Sequence, residues 1–495
     1  MLGQRTPLQD LADSSWDAVV IGGGITGAGI MLEAARRGLK VLLLEQQDFS
    51  WGTSSRSSKM VHGGLRYIAQ GDIKLTHHAL QERERLLTEL PDLVVRMSYI
   101  FPIRQGKFPG RIAMQVVLMA YDKLAGIKDH EWLNLDKLTT QYPALNRERL
   151  KGGMRYTDAL TDDSRLVVRV LQEACLEGGL ARNYTEVTAT HHEDAETTLT
   201  LTDRIDSQSI QIKAKYVFNA TGLWADRLSG APPKVRPQRG SHLFVPITRL
   251  PVTDCLTVMH PDDNRPVFIF PWKGQTCIGT TDLDHQFDRN QEAFCTPEEV
   301  SYLLKVANTE FNDADLEVGD IISTMAGVRP IIASDTSKDP SKERRDHLVW
   351  QANGLISVSG GKLTTFRQIA LDALKAAGIL DSKTHQQAVA GKHTRCFNHT
   401  VATPTMLNNP LQPVAQGDDL IEQVSWILQH EMVQHLDDLM LRRLRMGNMH
   451  ADGGDAVLNL IKPLCQQYLS WDEPRWQVEC TRYQQILQQY YHAGL

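Results

Sequence analysis

The chain of 495 residues is too long for a single hydrophobic core, and its length predicts about two to four domains. It is 42% hydrophobic and 23% charged, which is typical of a globular protein and not of a disordered, collagen-like or coiled-coil chain. The net charge of −6 argues against a general nucleic-acid partner, and seven cysteines without a CxxC pair argue against a disulfide framework or a cysteine-rich zinc site.

The start of the chain and its apolar segments bear on its location. Residues 1–15 contain one arginine, two aspartates and no apolar block, which predicts a flexible extension and not a signal peptide. The sequence has no run of about 20 apolar residues, so no membrane-spanning helix is predicted, although contact with a membrane surface stays open. We expect a reducing compartment, the cytoplasm.

The first fold unit is a strand, a glycine-rich turn, a helix and a second strand. Residues 17–21 and 40–44 are short apolar runs, and residues 28–37 between them are mostly good helix formers followed by a glycine. This pattern predicts a βαβ unit with buried parallel strands.

The turn of this unit, Gly22-Gly-Gly-Ile-Thr-Gly27, carries a dinucleotide-binding fingerprint. Gly22 permits a tight turn, Gly24 lets the backbone approach a pyrophosphate, and Gly27 lets the helix and strand pack closely. Glu45 ends the second strand, where it can accept hydrogen bonds from a ribose with a free 2′-hydroxyl, as in FAD or NAD.

Two later segments favour FAD over NAD. Residues 217–222 resemble a strand that runs into a turn of small residues, and residues 359–365 resemble a strand end, a glycine turn and a helix start. The amides of the second segment could face the pyrimidine edge of a flavin, which gains negative charge on reduction. A site assembled from positions 22, 222 and 361 suits an extended cofactor.

The remaining elements are predicted from local patterns. Strands are expected at 216–219, 267–270 and 355–359, and the capping box Thr296-Pro-Glu-Glu299 predicts a helix that ends near residue 308. Residues 381–417 are rich in polar residues, proline and glycine and indicate a linker. Helices are expected after it, at 420–431, 433–445 and onward to the C-terminus.

Seven motifs occur in order over roughly residues 16–375 of the chain. They are Ile21-Gly-Gly-Gly-Ile-Thr-Gly-Ala-Gly29, Thr53-Ser-Ser-Arg-Ser-Ser-Lys59, His62-Gly-Gly-Leu-Arg-Tyr67, Gly240-Ser-His242, Gly279-Thr-Thr-Asp282, Gly327-Val-Arg-Pro330 and Gly360-Gly-Lys-Leu-Thr-Thr365. In this order and spacing the chain resembles the FAD-dependent glycerol-3-phosphate dehydrogenase family, within the D-amino-acid-oxidase-like flavoproteins. The last hundred residues resemble the family's helical C-terminal domain more loosely, most clearly at residues 436–446.

The resemblance implies an α/β fold, α+β overall, with three domains. A Rossmann-like FAD-binding domain is expected at 16–95, 150–240 and 320–380, and an interleaved antiparallel-sheet substrate domain at 96–149 and 241–319. The linker at 381–417 then leads to a C-terminal α-helical domain at 418–495.

The resemblance also implies a reaction and a set of cofactor contacts. The family oxidises sn-glycerol 3-phosphate at C2 to dihydroxyacetone phosphate, passes hydride to flavin N5 and reoxidises the flavin with a quinone. The residues expected to contact FAD are Gly22, Gly24, Gly27, Glu45, Thr53, Ser54, Ser55, Ser58, Lys59, His62, Gly63, Gly64, Val187, Ala220, Thr221, Gly222, Gly361, Lys362, Leu363 and Thr364.

Three residues are the candidate catalytic groups. His242 can accept the proton of the 2-hydroxyl near neutral pH, and Arg329 or Lys362 can stabilise the alkoxide and the developing carbonyl oxygen. The alternative interpretations are a hydrogen-bonded core histidine, an arginine that braces a turn and a lysine at a helix start.

Substrate contacts are expected at four positions. Arg66 and Arg345 supply cations for a phosphate monoester, with Tyr67 and Thr364 in or near the pocket. The alternative for both arginines is a solvated surface charge.

A quinone acceptor requires contact with a membrane, and residues 97–125 are the candidate segment. Arg104, Lys107 and Arg111 precede the apolar run 112–121, which is about half the length needed to span a bilayer. The pattern fits an interfacial helix at the inner face of the cytoplasmic membrane, and the alternative is a buried core helix. A homodimer is an expectation of the resemblance only.

Several other functions stay open. An oxidase of the same superfamily would pass electrons to oxygen, and an amino-acid oxidase would need a carboxylate clamp but no phosphate pocket. A non-catalytic flavin-binding interaction protein is a further alternative. The net negative charge and the lack of a basic patch in the sequence argue against an FAD-dependent RNA-modifying enzyme. No metal site is predicted, because the pairs at 77–78 and 191–192 match no metal-ligand spacing.

Overall fold

The computed structural model describes residues 2–65, 68, 72–230, 234–332, 346–391 and 395–493. Arg66, Tyr67 and Arg345, three of the predicted substrate-binding residues, lie outside the described residues. The described strands are β1 (Trp16–Ile21), β2 (Val41–Leu44), β3 (Met60–Val61), β4 (Val94–Arg104), β5 (Glu131–Asn134), β6 (Leu150–Thr161), β7 (Leu180–Arg182), β8 (Thr185–Glu193), β9 (Glu196–Asp203), β10 (Ser209–Asn219), β11 (Val235–Pro246), β12 (Cys255–Met259), β13 (Pro266–Trp272), β14 (Gln275–Gly279), β15 (Leu283–Asp284), β16 (Ser323–Ile332), β17 (His347–Ala352) and β18 (Leu355–Gly360).

The described helices are α1 (Leu8–Ala12), α2 (Ile25–Ala35), α3 (Ile73–Glu89), α4 (Arg111–Ala125), α5 (Leu135–Gln141), α6 (Asp163–Leu176), α7 (Ala225–Ser229), α8 (Pro297–Glu310), α9 (Phe366–Ala376), α10 (Ser382–Ala390), α11 (Gly417–His430), α12 (Met446–Met449), α13 (Asp455–Leu469) and α14 (Glu473–Tyr490). Short 3₁₀ turns occur at Thr53–Ser55, Gly222–Trp224, Val318–Asp320 and Leu363–Thr365, and a π-helical turn at Asp438–Arg443.

The first sheet has the strand order β17-β18-β10-β1-β2-β7, and the strands from β18 to β7 run parallel. Both faces are covered, which explains why β1 and β2 are almost entirely apolar. Alternate residues point to opposite cores: Val20 faces α2, α6 and α9, whereas Val19 faces α1 and β9. The predicted βαβ unit is confirmed.

The second sheet is antiparallel apart from one parallel pair, β4 with β12. Its order is β15-β11-β14-β13-β12-β4-β6-β3, with β16 paired to β11 and β5 to β6. Helices α5 and α8 cover one face around Ile269, and α3 and α4 cover the other around Phe270. Helix α8 begins at the predicted capping box, where Thr296 and Glu299 cap each other's backbone.

The chain alternates between the two sheets, which confirms the predicted interleaved architecture. It enters the second sheet at β3–β6, returns to the first at β7–β10, enters the second again at β11–β16 and returns at β17 and β18. The strands divide the chain differently from the predicted boundaries, because β6, the first half of β11 and β16 lie in the second sheet. Local sequence marks where a strand lies but not which distant partner it pairs with.

The C-terminal domain is helical, and α11, α13 and α14 share one core. The structure differs from three local predictions. Residues 1–15, predicted as a flexible extension, contain α1, whose Leu8 and Leu11 pack into a core beside β1. The predicted linker contains α10, and the helix predicted at 433–445 is replaced by a π-helical turn followed by Arg445 with a φ of +66°. Asp381 caps α10 within a stretch whose polar composition indicated a linker. The arginines at 442–445 pair with buried carboxylates elsewhere in the fold, and such long-range contacts override local helix propensity. All seven cysteines lie in the described ranges and are unpaired.

Candidate active site

A cavity of about 560 Å³ opens at the carboxyl ends of β1, β2, β10 and β18, where the first sheet meets the second. This is the edge of a parallel sheet at which ligands bind in doubly wound folds. The second sheet contributes Phe268, Thr280 and the segment 329–331 to the wall. The cavity volume is within the range of cofactor sites.

The fingerprint glycines form one wall in the way that a dinucleotide requires. Gly22 has a φ of +113°, and an added Cβ would lie 2.6 Å from the carbonyl oxygen of Ala220. A Cβ at Gly27 would lie 1.9 Å from the carbonyl oxygen of Gly22, so this glycine allows the close packing of α2 against β1. Helix α2 begins after Gly24, which has no side chain to cap it, and the first turn of the helix lines the cavity, where its N–H groups favour an anionic ligand.

Glu45 ends β2 and lines the same wall. Its two carboxylate oxygens accept hydrogen bonds from the backbone N–H groups of Gly23, at 2.7 Å, and Gln47, at 2.8 Å. Burial raises the pKa of Glu45, and the two N–H bonds oppose that rise. Val187 and Glu186 lie beside it in the cavity wall.

Residues 53–59, which we call the site loop, form a second wall. The Oγ of Ser54 accepts a hydrogen bond of 3.0 Å from the N–H of Ile25 at the start of α2, which ties the loop to the fingerprint. Thr53, Ser54, Ser57 and Ser58 line the cavity. Hydroxyl groups are therefore present beside the open helix N-terminus.

His242 lies behind the site loop and is completely buried. Its Nε2 is 3.0 Å from the Oγ of Ser58, and Ser58 lines the cavity whereas His242 does not. Burial, followed by the charges of Arg329 and Lys59, holds the pKa of His242 well below its usual value, so the imidazole is neutral at physiological pH. His242 thus faces the cavity through Ser58.

Arg329 on β16 lines the cavity and is oriented by the neighbouring strand segments. Its guanidinium donates to Thr280 Oγ1 at 3.1 Å and pairs with Asp282 at 3.3 Å. An added Cβ at Gly240 would lie 2.3 Å from Nη2 of Arg329, so the glycine of the Gly240-Ser-His242 motif makes room for this side chain.

The turn that follows β18 closes a third wall with Gly361, Lys362, Leu363 and Thr364. The Oγ1 of Thr364 accepts a hydrogen bond of 3.3 Å from the N–H of His62, which joins this turn to the segment after β3. The sequence predicts both segments as site elements, and the structure brings them together.

The predicted residues divide into those that line the cavity and those that do not. The lining residues are Gly22, Gly24, Glu45, Thr53, Ser54, Ser58, His62, Val187, Ala220, Thr221, Gly222, Arg329, Gly361, Lys362, Leu363 and Thr364. The described residues Gly27, Ser55, Lys59, Gly63 and Gly64 were also predicted to contact the cofactor and do not line it.

Lys59 and Gly63 have structural partners instead. The Nζ of Lys59 is fully buried, pairs with Asp163 at 2.8 Å and donates to the carbonyl oxygen of Ser55 at 2.6 Å. The N–H of Gly63 donates to the hydroxyl of Tyr121 at 3.0 Å, on the side away from the cavity. These side chains and amides hold the loops that carry the lining residues.

Several lining residues were missed by the sequence analysis, and Arg56 is the most important. Its guanidinium pairs with Glu292 at 2.8 Å and lies 5.2 Å from the ring centre of Trp51. In the sequence, Arg56 stands between two pairs of serines in the site loop, and this pattern could have indicated a cation in the cavity wall. Trp51, Trp224 and Asn290 also line the wall, and no motif in the sequence marks them.

One further cluster brings together groups that bind metals in other proteins. Oxygen or nitrogen atoms of Glu173, Glu177 and His399 lie within 4.8 Å of one another. Arg36 pairs with both glutamates at 3.2 Å, so a guanidinium already neutralises much of this charge.

A dinucleotide fits the residues that are present. The cavity has a wall of glycine backbone, the N-terminus of α2, a carboxylate after β2 and the cations Arg56, Arg227, Arg329 and Lys362. Such a wall is suited to a pyrophosphate and to a second anionic ligand.

Comparisons with known proteins agree with this geometry. The family described as FAD dependent oxidoreductase matches residues 17–367, and the C-terminal domain of alpha-glycerophosphate oxidase matches residues 397–476. An aerobic glycerol-3-phosphate dehydrogenase of Staphylococcus haemolyticus is 35% identical over 75% of this chain and 68% of its own length. A glycerol-3-phosphate dehydrogenase of Mycobacterium leprae is 32% identical over 92% of this chain and 85% of its own length.

Solved structures share the fold. The glycerol-3-phosphate dehydrogenase of Bacillus halodurans complexed with FAD has a TM-score of 0.74 at 24% identity and covers 99% of this chain and 98% of its own. The FAD-bound L-alpha-glycerophosphate oxidase of Mycoplasma pneumoniae has a TM-score of 0.58 at 17% identity and covers 74% of this chain and 95% of its own. The chain belongs to the FAD-dependent oxidoreductase family, and within it to the FAD-dependent glycerol-3-phosphate dehydrogenases.

Proposed function

We propose that the protein oxidises the C2 hydroxyl of sn-glycerol 3-phosphate to the ketone of dihydroxyacetone phosphate and delivers the electrons to a membrane quinone. FAD, when bound, supplies the acceptor for the hydride that leaves C2. The observation that carries the proposal is a cation-lined cavity beside a buried neutral histidine, in a chain similar over 92% of its length to a protein named glycerol-3-phosphate dehydrogenase.

The chain's own residues have distinct parts in this proposal. The fingerprint wall at 22–27, the hydroxyls of the site loop and the turn at 361–364 bind the cofactor, because they offer amides, hydroxyls and a carboxylate to a dinucleotide. Arg329 and Lys362 face the substrate, and Arg329 offers the planar fork that matches an oxyanion. Contacts of Arg66 and Arg345 with the phosphate, and a place for Tyr67 in or near the pocket, stay predictions of the sequence.

His242 is proposed to receive the proton of the 2-hydroxyl through Ser58. The 3.0 Å contact between Ser58 Oγ and His242 Nε2 is a direct path for one proton from the cavity wall to the imidazole. A neutral imidazole can accept that proton, and the Arg329 guanidinium stabilises the alkoxide that remains.

A matched pair of histidine variants tests this assignment. His242→Asn is expected to slow flavin reduction by glycerol 3-phosphate by roughly 10²–10⁴-fold, the usual contribution of a general base. His260→Asn is the control, since His260 is equally buried in the same domain but does not line the cavity or contact Ser58. Its ring stacks on that of Tyr302, with 3.6 Å between the ring centroids. A near-normal reduction rate in His242→Asn would remove His242 from the mechanism.

Contact with a membrane at the cytoplasmic face is proposed for the outer face of α4. Phe108, Ile112, Val116 and Met119 are 85%, 79%, 61% and 56% exposed, whereas Leu118 on the opposite face is buried. On α4 the four- and three-residue spacing of Ile112, Val116 and Met119 forms one apolar stripe. Phe108 lies in the segment just before the helix, and Lys107 and Arg111 add positive charge at this end of the stripe. In the described part of the chain no helix is long and apolar enough to cross a bilayer.

This surface is tested with vesicles that contain anionic lipid. Val116→Asp is expected to weaken cosedimentation of the protein with the vesicles, and Val478→Asp, at a helix position that is 59% exposed in the C-terminal domain, is expected to leave it unchanged. Equal binding of both variants would contradict the assignment.

The electron acceptor is tested separately by adding glycerol 3-phosphate to the wild-type protein in the presence of oxygen or of a quinone analogue. Formation of hydrogen peroxide in proportion to substrate, without reduction of the quinone analogue, would favour an oxidase instead.

A further inference from the structure

We propose that Arg445 of the C-terminal domain is a positioning residue for the active site. Through Asp163 it fixes the site loop, and the fixed loop holds Ser58 against His242. The inference rests on the proposed function for the role of Ser58 and His242. It gives the C-terminal domain a part in the reaction, although its helices pack around a separate core.

Asp163 is the centre of the arrangement and is completely buried at the start of α6. Its Oδ2 accepts hydrogen bonds from the N–H of Ser57 at 2.9 Å and from the Oγ of Ser57 at 2.7 Å. Its Oδ1 accepts from Lys59 Nζ at 2.8 Å and from Arg445 Nη2 at 2.6 Å. One carboxylate therefore fixes the residues on both sides of Ser58.

Arg445 makes further contacts that fix the same loop. Its Nη1 donates to the carbonyl oxygen of Ser55 at 3.2 Å, and its Nη2 pairs with Asp162 at 2.7 Å. The guanidinium lies 5.6 Å from the ring centre of Trp272, and Lys59 Nζ lies 5.1 Å from the same ring. The loop is thus held at Ser55, Ser57 and Lys59, while the side chain of Ser58 points to His242.

The charges explain why an arginine is needed at this position. Asp162 and Asp163 are both buried, and the other nearby cations are Lys59 and Lys273. Burial outweighs the neighbouring carboxylates and lowers the pKa of each lysine to about 8. Burial opposes the charge on Arg445, but Asp162 and Asp163 outweigh it and raise the pKa of Arg445, so its guanidinium stays charged at every working pH and donates to both carboxylates.

The test is a double-mutant cycle on the FAD-loaded protein with Arg445→Lys and Ser58→Ala. Arg445→Lys is expected to lower the rate of anaerobic flavin reduction by glycerol 3-phosphate by roughly 10- to 100-fold, the effect of a small misplacement at a reacting centre. Ser58→Ala removes the proton path itself and is expected to lower it by roughly 10²–10⁴-fold, as His242→Asn does. The double variant is expected to be no slower than the slower single variant, because both changes break the same Ser58–His242 contact. Arg445→Lys is also expected to change the visible circular dichroism of bound flavin, since Ser57 and Ser58 line the cavity.

Arg165→Lys is the matched control. Arg165 is as buried as Arg445 and pairs with Glu431 and Asn408, so its replacement is expected to lower the thermal midpoint without changing the flavin spectrum or its reduction rate. If Arg445→Lys does not fold, Asp163→Asn takes its place, because it keeps the side-chain shape and removes the charge that holds Ser57 and Lys59.

The outcomes separate the two proposals. A lower thermal midpoint with unchanged flavin dichroism and an unchanged rate of flavin reduction would reduce Arg445 to a structural brace and overturn the inference. Multiplicative rate losses in the double variant would also overturn it. If glycerol 3-phosphate does not reduce the wild-type flavin, the proposed function fails, and the dichroism of Arg445→Lys against Arg165→Lys still decides whether Arg445 positions the loop.

Discussion

His347 lies beneath the Gly360–Gly361 turn of the cavity wall, and its replacement gives a prediction with a defined pH dependence. Its Nε2 contacts Asp372 at 2.8 Å, its Nδ1 contacts Asp346 at 3.3 Å, and the N–H of Gly361 donates to the carbonyl oxygen of Asp346 at 3.2 Å. Burial opposes the charge on His347, but the two carboxylates outweigh it and raise the pKa to about 9 from 6.5.

The magnitude follows from this shift. Because the folded-state pKa lies above the unfolded value, the stabilisation is fully present below about pH 6.5 and is lost as the pH rises through 9. A shift of about 2.5 units corresponds to about 3 kcal/mol at roughly 1.4 kcal/mol per unit. With an unfolding entropy of about 1 kcal/mol/K for a chain of this length, the thermal midpoint changes by about 3 °C.

The assay is thermal unfolding of wild type and His347→Gln between pH 6 and pH 10. The variant is expected to unfold a few degrees below wild type at pH 6, and the difference is expected to disappear by pH 10, where the wild-type imidazole is neutral in both states. His191→Gln, at an exposed position, serves as the control and is expected to match wild type throughout. A difference between wild type and His347→Gln that is independent of pH would refute the electrostatic reasoning.

Two further predictions concern the cavity walls. Gly27→Ala is expected to lose bound FAD, because the added Cβ would lie 1.9 Å from a backbone oxygen. The ratio of flavin absorbance to protein absorbance measures the loss. Gly319→Ala is the control, because its Cβ would enter open space, and it is expected to keep the cofactor. Retention of full flavin in Gly27→Ala would contradict this. Arg329→Lys loses the planar fork and is expected to lower kcat/KM for glycerol 3-phosphate by roughly 10- to 100-fold, the equivalent of one charge-assisted hydrogen bond. An unchanged kcat/KM would exclude a contact of Arg329 with the substrate or its alkoxide.

The parts of the fold and site that sequence predicts are those encoded locally. The fingerprint at 22–27 and Glu45 are specified by one continuous βαβ unit, and the turns at 220–222 and 361–364 are marked by glycine after a strand. Each of these segments lies in the cavity wall because the carboxyl ends of parallel strands meet at one edge of a sheet.

The features that sequence missed depend on partners far away along the chain. Arg56 pairs with Glu292, and Lys59 is turned away from the cavity by Asp163, which lies 104 residues later. The predicted helix at 433–445 is reduced to a π-helical turn in which Arg442 and Arg443 pair with Asp48, and it ends before Arg445, which pairs with Asp162. No local pattern of hydrophobicity or propensity reports such buried ion pairs.

The most direct measurement of the central claim is the absorbance of the bound flavin under anaerobic conditions. Addition of sn-glycerol 3-phosphate is expected to bleach the flavin in proportion to substrate, and a quinone analogue added next is expected to restore the oxidised spectrum. Flavin that stays oxidised in the presence of excess sn-glycerol 3-phosphate would contradict the proposed function.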